Sequence, residues 1–312
     1  MEADQPVLVI GASGIDIKGR PLEPLQMGRS NQGAVRTTVG GVARNIAENL
    51  ARLEVPTVLL SAVGDDHSGE ILLKRTQDTG VDTSYVLRLP DKPTGSYLAL
   101  VDSDGQLIVS LSDYDIVSAI SSSYLLQQRE LFEQASMIAI DANLSVKAMA
   151  TVFRLAKRYD VPVCVDPTSP TLAAKLLAHL PQINMIAPDI YEAATLLRAD
   201  ITPLPDRDAA VGLAQRIINT GVNIAIVTLA EYGLAYADGS GAGHIPALRT
   251  PVVDKTGAGD ALTAAVIFGL LNEMPLDEAM RLGIAAASLT LRTRETVAVD
   301  LSLDQLYDAL VV

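Results

Sequence analysis

The chain predicts an α/β fold built on a doubly wound, mostly parallel sheet flanked by helices, and three observations carry that expectation. From residue 131 onward, short apolar strands alternate with stretches of helical periodicity, the pattern of repeated βα units. The core has to be filled by Ala, Val, Leu and Ile, because Trp is absent and aromatics make up 4% of a chain that is 49% hydrophobic. Aliphatic strands of that kind suit a parallel sheet covered on both faces. Two glycine-led loops, one near each end, run directly into apolar helical segments, and helix N-termini of that type attract anions.

The 312 residues read as one large domain, since no Pro/Ser-rich linker or block of charge divides them. With 24 basic and 37 acidic residues the net charge is −13, which offers no electrostatic footprint to nucleic acid or an anionic membrane. A phosphorylated ligand then has to be held by local donors and Mg2+. The one cysteine, Cys164, lies in the apolar run Val161-Pro162-Val163-Cys164-Val165, so no disulfide framework is expected. No targeting segment is read at Met1-Glu2-Ala3-Asp4, and the apolar runs fall short of the roughly 20 residues that span a bilayer. The cytoplasm is the expected compartment.

Taken in order, Val7-Leu8-Val9-Ile10-Gly11 is a buried strand, and the glycines that follow it lack the G-x-G-x-x-G spacing of dinucleotide-binding loops. Asp16, just past that strand, is either a turn residue or a grip on a pair of sugar hydroxyls. Residues 21–38 are irregular around the turn Ser30-Asn31-Gln32-Gly33, and a short strand covers 34–39. Gly40-Gly41 then open a helix running to Leu53. Asn45, about one turn in, either offers its amide to a polyhydroxylated ligand or is an exposed helical Asn. A strand at 58–63 ends in Gly64-Asp65-Asp66, a helix covers 68–80, a short β segment covers 81–88, and 94–110 is a hairpin turning at Asp104-Gly105.

The βα units follow, with strands at 137–141, 163–166, 185–188 and 224–228 and helices over 145–159, 170–179, 190–198 and 207–220; a hairpin spans 232–244. Asp16, Asp141, Asp166, Asp189 and Thr228 fall at strand ends, where open α/β sheets bind their ligands. Helix 277–291 carries an alanine face (Ala279, Ala285, Ala286, Ala287), fit either for close packing or for a flat adenine ring. The histidines at 67, 179 and 244 share no metal-ligand spacing, and neither a G-x-x-x-x-G-K-[ST] loop nor a G-x-S-x-G elbow occurs.

The most informative stretch is Val252-Val253-Asp254-Lys255-Thr256-Gly257-Ala258-Gly259-Asp260, which feeds an apolar helix. The first turn of a helix leaves backbone N–H groups unpaired, and glycines at 257 and 259 let the backbone approach a bulky oxyanion. Asp260 stands where that helix end draws in a negative substrate, so it is a candidate general base; the alternative is a helix N-cap.

Gly40-Gly41-Val42-Ala43-Arg44-Asn45, paired with Asp254-Lys255-Thr256-Gly257-Ala258-Gly259-Asp260, resembles the two signatures of the PfkB (ribokinase-like) carbohydrate and nucleoside kinases, over nearly the whole chain. Within it, Gly11…Asp16-Ile17-Lys18-Gly19, Ser30-Asn31-Gln32-Gly33, the segments 44–53 and 61–66, and Val165-Asp166-Pro167 are similar to the pseudouridine kinase branch. The resemblance implies a ribokinase-like sheet with a small β-sheet lid formed by segments of about 14–39 and 85–112. It implies phosphorylation of the 5′-hydroxyl of pseudouridine by ATP, with Asp260 taking the hydroxyl proton and the amides of Gly257, Ala258, Gly259 and Asp260 facing the transferring phosphoryl group. Asp16, Ser30, Asn31, Gly40, Gly41 and Asn45 would hold the nucleoside. Asp189, Thr228, Gly233 and Lys255, with Gly257 and Gly259, would line the nucleotide side. Glu192 would reach Mg2+ through water, and Asp254 and Thr256 are candidates for a monovalent cation such as K+. A homodimer through the lid is also implied.

Several positions depart from the family pattern: Asp189 for Asn, Ala230 for the first glycine of a Thr-x-Gly-x-x-Gly turn, Gly14 for Asn, Gln32 for Pro and Lys255 for Thr. Two alternatives therefore stand beside the pseudouridine reading. One is another member acting on ribose, adenosine or uridine; the other is a non-catalytic nucleotide-binding regulator, motivated by Asp189 and Ala230.

Overall fold

The computed structural model describes residues 5–102, 105–200 and 207–311. The chain begins with β1 (Val7–Ile10), β2 (Gly14–Pro21), β3 (Gly33–Gly40), α1 (Val42–Arg52), β4 (Thr57–Leu60), β5 (Ala62–Gly64), α2 (His67–Gln77) and β6 (Leu87–Leu89). It continues with β7 (Gly95–Val101), β8 (Leu107–Asp113), α3 (Ser122–Gln127), α4 (Arg129–Gln134), β9 (Met137–Asp141), α5 (Val146–Tyr159), β10 (Val163–Asp166), α6 (Pro170–Ala173) and β11 (Met185–Ile186). The remainder is α7 (Ile190–Leu197), α8 (Arg207–Ile218), β12 (Ile224–Thr228), β13 (Leu234–Ala237), β14 (Ala242–Ile245), α9 (Ala258–Leu271), α10 (Leu276–Leu291) and α11 (Leu303–Val311).

Eight strands form the main sheet in the order β14-β13-β12-β11-β10-β9-β1-β4. It is parallel from β12 to β4 and antiparallel at the β13 and β14 edge. Because β1 lies between β4 and β9, the chain starts one strand in from an edge and extends from there to both sides, with β4 on one side and β9 to β14 on the other, as a doubly wound fold does. The period of two along a strand sends alternate residues to opposite layers. Leu8 and Ile10 join Met149, Val152 and Phe153 of α5, whereas Val7 and Val9 join Ile46 and Leu50 of α1 with Leu262 and Val266 of α9. Each such side chain, fully buried, contributes about 1.5–3 kcal/mol of transfer free energy, so α1 and α9 are fixed side by side under one face of the sheet.

A second sheet has the order β3-β2-β7-β8, with β2 parallel to β7 and antiparallel to β3. Cross-strand pairing puts Asp16, Lys18, Arg36, Thr38 and Tyr97 on one face and Ile17, Val35, Leu98 and Leu111 on the other. Val35, Leu98 and Leu111 are exposed.

Some expectations about elements are corrected. Of the β segment 81–88, only an isolated bridge at Asp82 and strand β6 form. β6 pairs with β5, so the stretch of 85–112 that precedes Gly95 lies outside the second sheet. The helix expected over 170–179 is α6 followed by a 3-10 turn, Ala174–Leu176. Strand β11 stops at Ile186, two residues before Pro188, which has no N–H to give a neighbouring strand. Asp104 of the expected hairpin turn lies outside the described residues. Among the described residues, no helix is long and apolar enough to cross a membrane.

Candidate active site

The N-terminal ends of α1 and α9 meet beneath the polar face of the second sheet. Gly257, at φ 85°, is the N-cap of α9, with no side-chain cap, and Asp260 is the third helical residue. The alternative reading of Asp260 as the helix N-cap is therefore not met. Only glycine fits at 257, since a Cβ there would lie 1.9 Å from the Thr296 carbonyl oxygen in addition to the positive φ. Uncapped first-turn N–H groups make an anion site. A Cβ at Gly259 would meet nothing within 4 Å, so the space in front of this turn is open.

The Asp260 carboxylate is buried and accepts a hydrogen bond from Asn45 Nδ2 at 2.7 Å. The orientation of that amide is set from behind. Asn45 Oδ1 faces two donors, Arg44 Nη1 at 3.1 Å and the Thr296 hydroxyl at 3.0 Å, which leaves the amide nitrogen for Asp260. Asn45 is thus no exposed helical residue. Burial pushes the Asp260 carboxyl well above the ordinary range, Asp166 adds to the rise, and the Asn45 bond opposes it. A carboxylate raised in this way holds a proton more tightly than an exposed one, which suits it to act as a base.

Asp16, on β2, sits over the backbone of β3. A Cβ on Gly40 would lie 2.5 Å from the Asp16 carboxyl carbon, and one on Gly41 would lie 2.6 Å from the Ala12 carbonyl oxygen. The paired glycines let the turn into α1 press against the β1–β2 connection. Burial raises Asp16 to about 6, opposed by Arg44 and Lys18, so it is an anionic acceptor at neutral pH. Asp141 ties this corner together by accepting from Ala12 N at 2.7 Å and Ala43 N at 3.1 Å.

On the opposite side, Asp189 is the N-cap of α7 and forms a capping box with Glu192, with bonds of 2.7 and 2.8 Å. The acidic residue in place of Asn is thereby engaged in holding its own helix. Thr228, at the end of β12, bridges Asp189 through the backbone. Ala230 adopts φ 50°, the left-handed conformation a glycine would take without strain, so the turn persists. Gly233 is demanded by the hairpin itself, since a Cβ would fall 2.0 Å from the Ile245 carbonyl oxygen. Lys255 is exposed.

Burial raises Glu192 to about 8, with Asp166 and Asp189 adding to the shift. Asp166 is raised to about 7, by burial and then by Asp141. Hard carboxylates that resist charging beside one another suit a divalent cation. Among the described residues, no group of three or more ligating side chains converges, so Mg2+ would draw most of its ligands from phosphate oxygens and water, with Glu192 at its edge.

Other expected residues are placed differently. Ser30 and Asn31 lie in the exposed β2–β3 connection, where Asn31 accepts from Gln26 N at 2.8 Å and donates to the Gln26 and Arg29 carbonyls. Asp254 and Thr256 do not fit a free monovalent cation, because the Lys18 ammonium lies 2.6 Å from Asp254 Oδ1 and 2.8 Å from Thr256 Oγ1. The alanine face of α10 is packing: Ala279, Ala285 and Ala286 are buried, and a Cβ on Gly269 of α9 would meet that of Ala279 at 2.6 Å.

Lys18, Arg36, Tyr114 and Thr296 belong to the site without having been singled out in the sequence, where Asp141 reads as a residue of the strand ends. Lys18 and Arg36 lie opposite each other on β2 and β3, a pairing that appears only once register is known. Tyr114 is wedged against Gly14 and Gly95, where a Cβ would meet its ring at 2.6 Å. Burial raises its phenol well above the ordinary value, and Asp16, Asp141 and Asp260 raise it further.

The profile described as pfkB family carbohydrate kinase matches residues 4–302. The chain is 36% identical over 298 residues to the pseudouridine kinase of Escherichia coli K12, covering 95% of this chain and 94% of that protein. It is 29% identical over 302 residues to the guanosine-inosine kinase of Exiguobacterium acetylicum, covering 96% and 99%. A carbohydrate kinase structure from Agrobacterium tumefaciens matches with a TM-score of 0.83 at 26% identity, over 98% of this chain and 97% of that one. A buried carboxylate on an open helix N-terminus, held by an Asn from a Gly-Gly helix start, thus occurs in a chain that belongs to the pfkB family of carbohydrate kinases, phosphotransferases acting on a hydroxyl group.

Proposed function

We propose that the chain is an ATP-dependent pseudouridine kinase that forms pseudouridine 5′-phosphate. The observation that carries the chemistry is the buried Asp260 carboxylate, oriented by Asn45 in the first turn of α9. Support for the substrate comes from the 36% identity to a pseudouridine kinase along nearly the full length of both chains.

In this reading Asp16 accepts hydrogen bonds from the ribose hydroxyls, over the glycines at 40 and 41, and so aims the 5′-hydroxyl at Asp260. Asn45, on the same helix start, helps to seat the sugar. As the new O–P bond forms, the bond from the γ-phosphorus to the departing ADP breaks, and the O–H bond of the acceptor gives its proton to the Asp260 carboxylate. The first-turn amides of Ala258, Gly259 and Asp260 stabilise charge on the phosphoryl oxygens. Bound ATP with Mg2+ supplies the phosphoryl group and neutralises its charge. Thr228, Gly233 and Lys255 line the nucleotide side, and Glu192 would hold Mg2+ through a water. The second sheet, residues 14–21, 33–40, 95–101 and 107–113, acts as a lid that shuts out water during transfer. Ser30 and Asn31 turn toward the base when the nucleoside binds.

The apolar outer face of that sheet, with Val35, Leu98 and Leu111 exposed, is read as a homodimer contact. Light scattering of the wild type against Leu111→Glu tests it; a wild-type monomer would remove it. The reaction is placed in the cytoplasm, where ATP is held.

The guanosine-inosine kinase relative favours a second reading, a kinase of purine nucleosides. Steady-state turnover of pseudouridine, uridine, adenosine, guanosine, inosine and ribose with ATP decides between them. Pseudouridine is expected to give the highest kcat/KM; equal or better turnover of ribose or a purine nucleoside would overturn the assignment.

A further inference from the structure

Lys18 and Arg36 face each other across β2 and β3 and converge on one carboxylate of the anion loop. The Lys18 ammonium lies 2.6 and 2.7 Å from the two Asp254 oxygens and 2.8 Å from Thr256 Oγ1. Arg36 Nη2 donates to Asp254 Oδ2 at 2.8 Å. Asp254 in turn shapes the loop by accepting from Thr256 N at 3.0 Å and from the Thr256 hydroxyl at 2.8 Å. The next residue is Gly257, the N-cap of α9. One positive centre is therefore surrounded by three oxygens of the segment that leads directly into the catalytic turn.

A dissolved monovalent cation would need those same oxygens. It would also have to sit against an ammonium and a guanidinium, where like-charge repulsion excludes it. The donor set and the charge balance of this loop are complete without it. The positive charge belongs to the second sheet, so it arrives and leaves with that sheet, whereas an ion would exchange with solvent.

We propose that Lys18, flanked by Arg36, supplies as a tethered ammonium the positive charge that bridges Asp254 and Thr256 and organises the 254–257 turn, so that phosphoryl transfer in this protein is independent of K+ and is coupled to seating of the second sheet. Lys18 is a positioning residue: it touches Asp254 and Thr256 and acts on the transfer through them. The proposal rests on the kinase reading of the Asp260 loop and is indifferent to which nucleoside is phosphorylated.

The test compares the full-length wild type with Lys18→Ala at constant ionic strength, with tetramethylammonium or K+ as the only monovalent cation. Lys18→Met, which keeps the aliphatic stem, is used where truncation to alanine unsettles the sheet. Wild-type kcat is expected to be the same in both salts. The variant is expected to lose activity on the order of tenfold in tetramethylammonium, the scale of a modest coupling between sites, and to regain most of it in K+, which is small enough to enter the vacated oxygens. Thermal midpoints give a second readout: K+ raises that of the variant and leaves that of the wild type unchanged. Activation of the wild type by K+, or a folded variant with neither kinetic nor thermal response to K+, overturns the proposal. Absence of turnover with every acceptor defeats the kinase reading instead, and the thermal comparison still reports on the ammonium.

Discussion

Asn45 Nδ2 and Asp260 Oδ2 stand 2.7 Å apart although 215 positions separate them in the chain. The bond opposes the burial that raises the Asp260 carboxyl, because a donor favours the charged acceptor. Removing it with Asn45→Leu lets burial act unopposed. A hydrogen bond to a charged group contributes about 1.5–3 kcal/mol, or roughly 1–2 pH units. The acid limb of the kcat profile is therefore expected to move upward by about that amount. A lowered plateau with an unmoved limb would show that Asn45 serves the substrate alone.

Asp260→Asn keeps the size of the side chain and removes its ability to take a proton. Turnover is expected to fall by about 10²–10⁴-fold, the usual contribution of a general base, while calorimetric binding of the nucleoside stays within a few-fold of the wild type. A loss smaller than about tenfold would sink the assignment of Asp260 as base.

The two loop glycines separate a structural demand from a functional one. Gly257→Ala places a methyl against the Thr296 carbonyl at positive φ, so it should destabilise the protein by about 1–3 kcal/mol. Gly259→Ala meets no protein atom within 4 Å and gains helix propensity of up to about 1 kcal/mol. It should leave the thermal midpoint unchanged or raised while increasing KM for ATP. Normal ATP kinetics in Gly259→Ala would move the phosphate path away from this turn.

Much of this architecture is legible in the sequence because it is local. Aliphatic runs such as Val7-Leu8-Val9-Ile10 and the glycines at 40, 41, 257 and 259 announce a buried strand and two helix starts without any partner in view. What is not legible is pairing over distance. Lys18 reads as an ordinary strand lysine until β2 is laid across the 254–256 turn, and Thr296 reads as a loop threonine until it stands behind Asn45. Asp189, which stands where the family has Asn, has its carboxylate engaged by the N–H of Glu192, a local capping box whose signature is in the sequence. Ala230 similarly keeps a turn whose usual residue is glycine, since a single left-handed non-glycine residue is strained and still tolerated.

The buried acids set the pH dependence of stability, and the sign follows from their direction. Folding raises Asp16 from 3.8 to about 6, Asp166 from 3.8 to about 7 and Glu192 from 4.5 to about 8. Between those limits the folded chain holds protons that the unfolded chain has released, so stability falls as pH rises through them. The free protein is expected to melt at a higher temperature near pH 6 than near pH 8 on this account. Glu192→Gln carries no titrating proton and should flatten the upper part of that slope. Mg2+ with ATP should raise the midpoint more at about pH 8 than at about pH 6, because at the lower pH the ion has to displace protons from Asp166 and Glu192. A Glu192→Gln protein whose midpoint falls with pH as steeply as the wild type would show that Glu192 charges without cost, and would remove it from the metal side of the site.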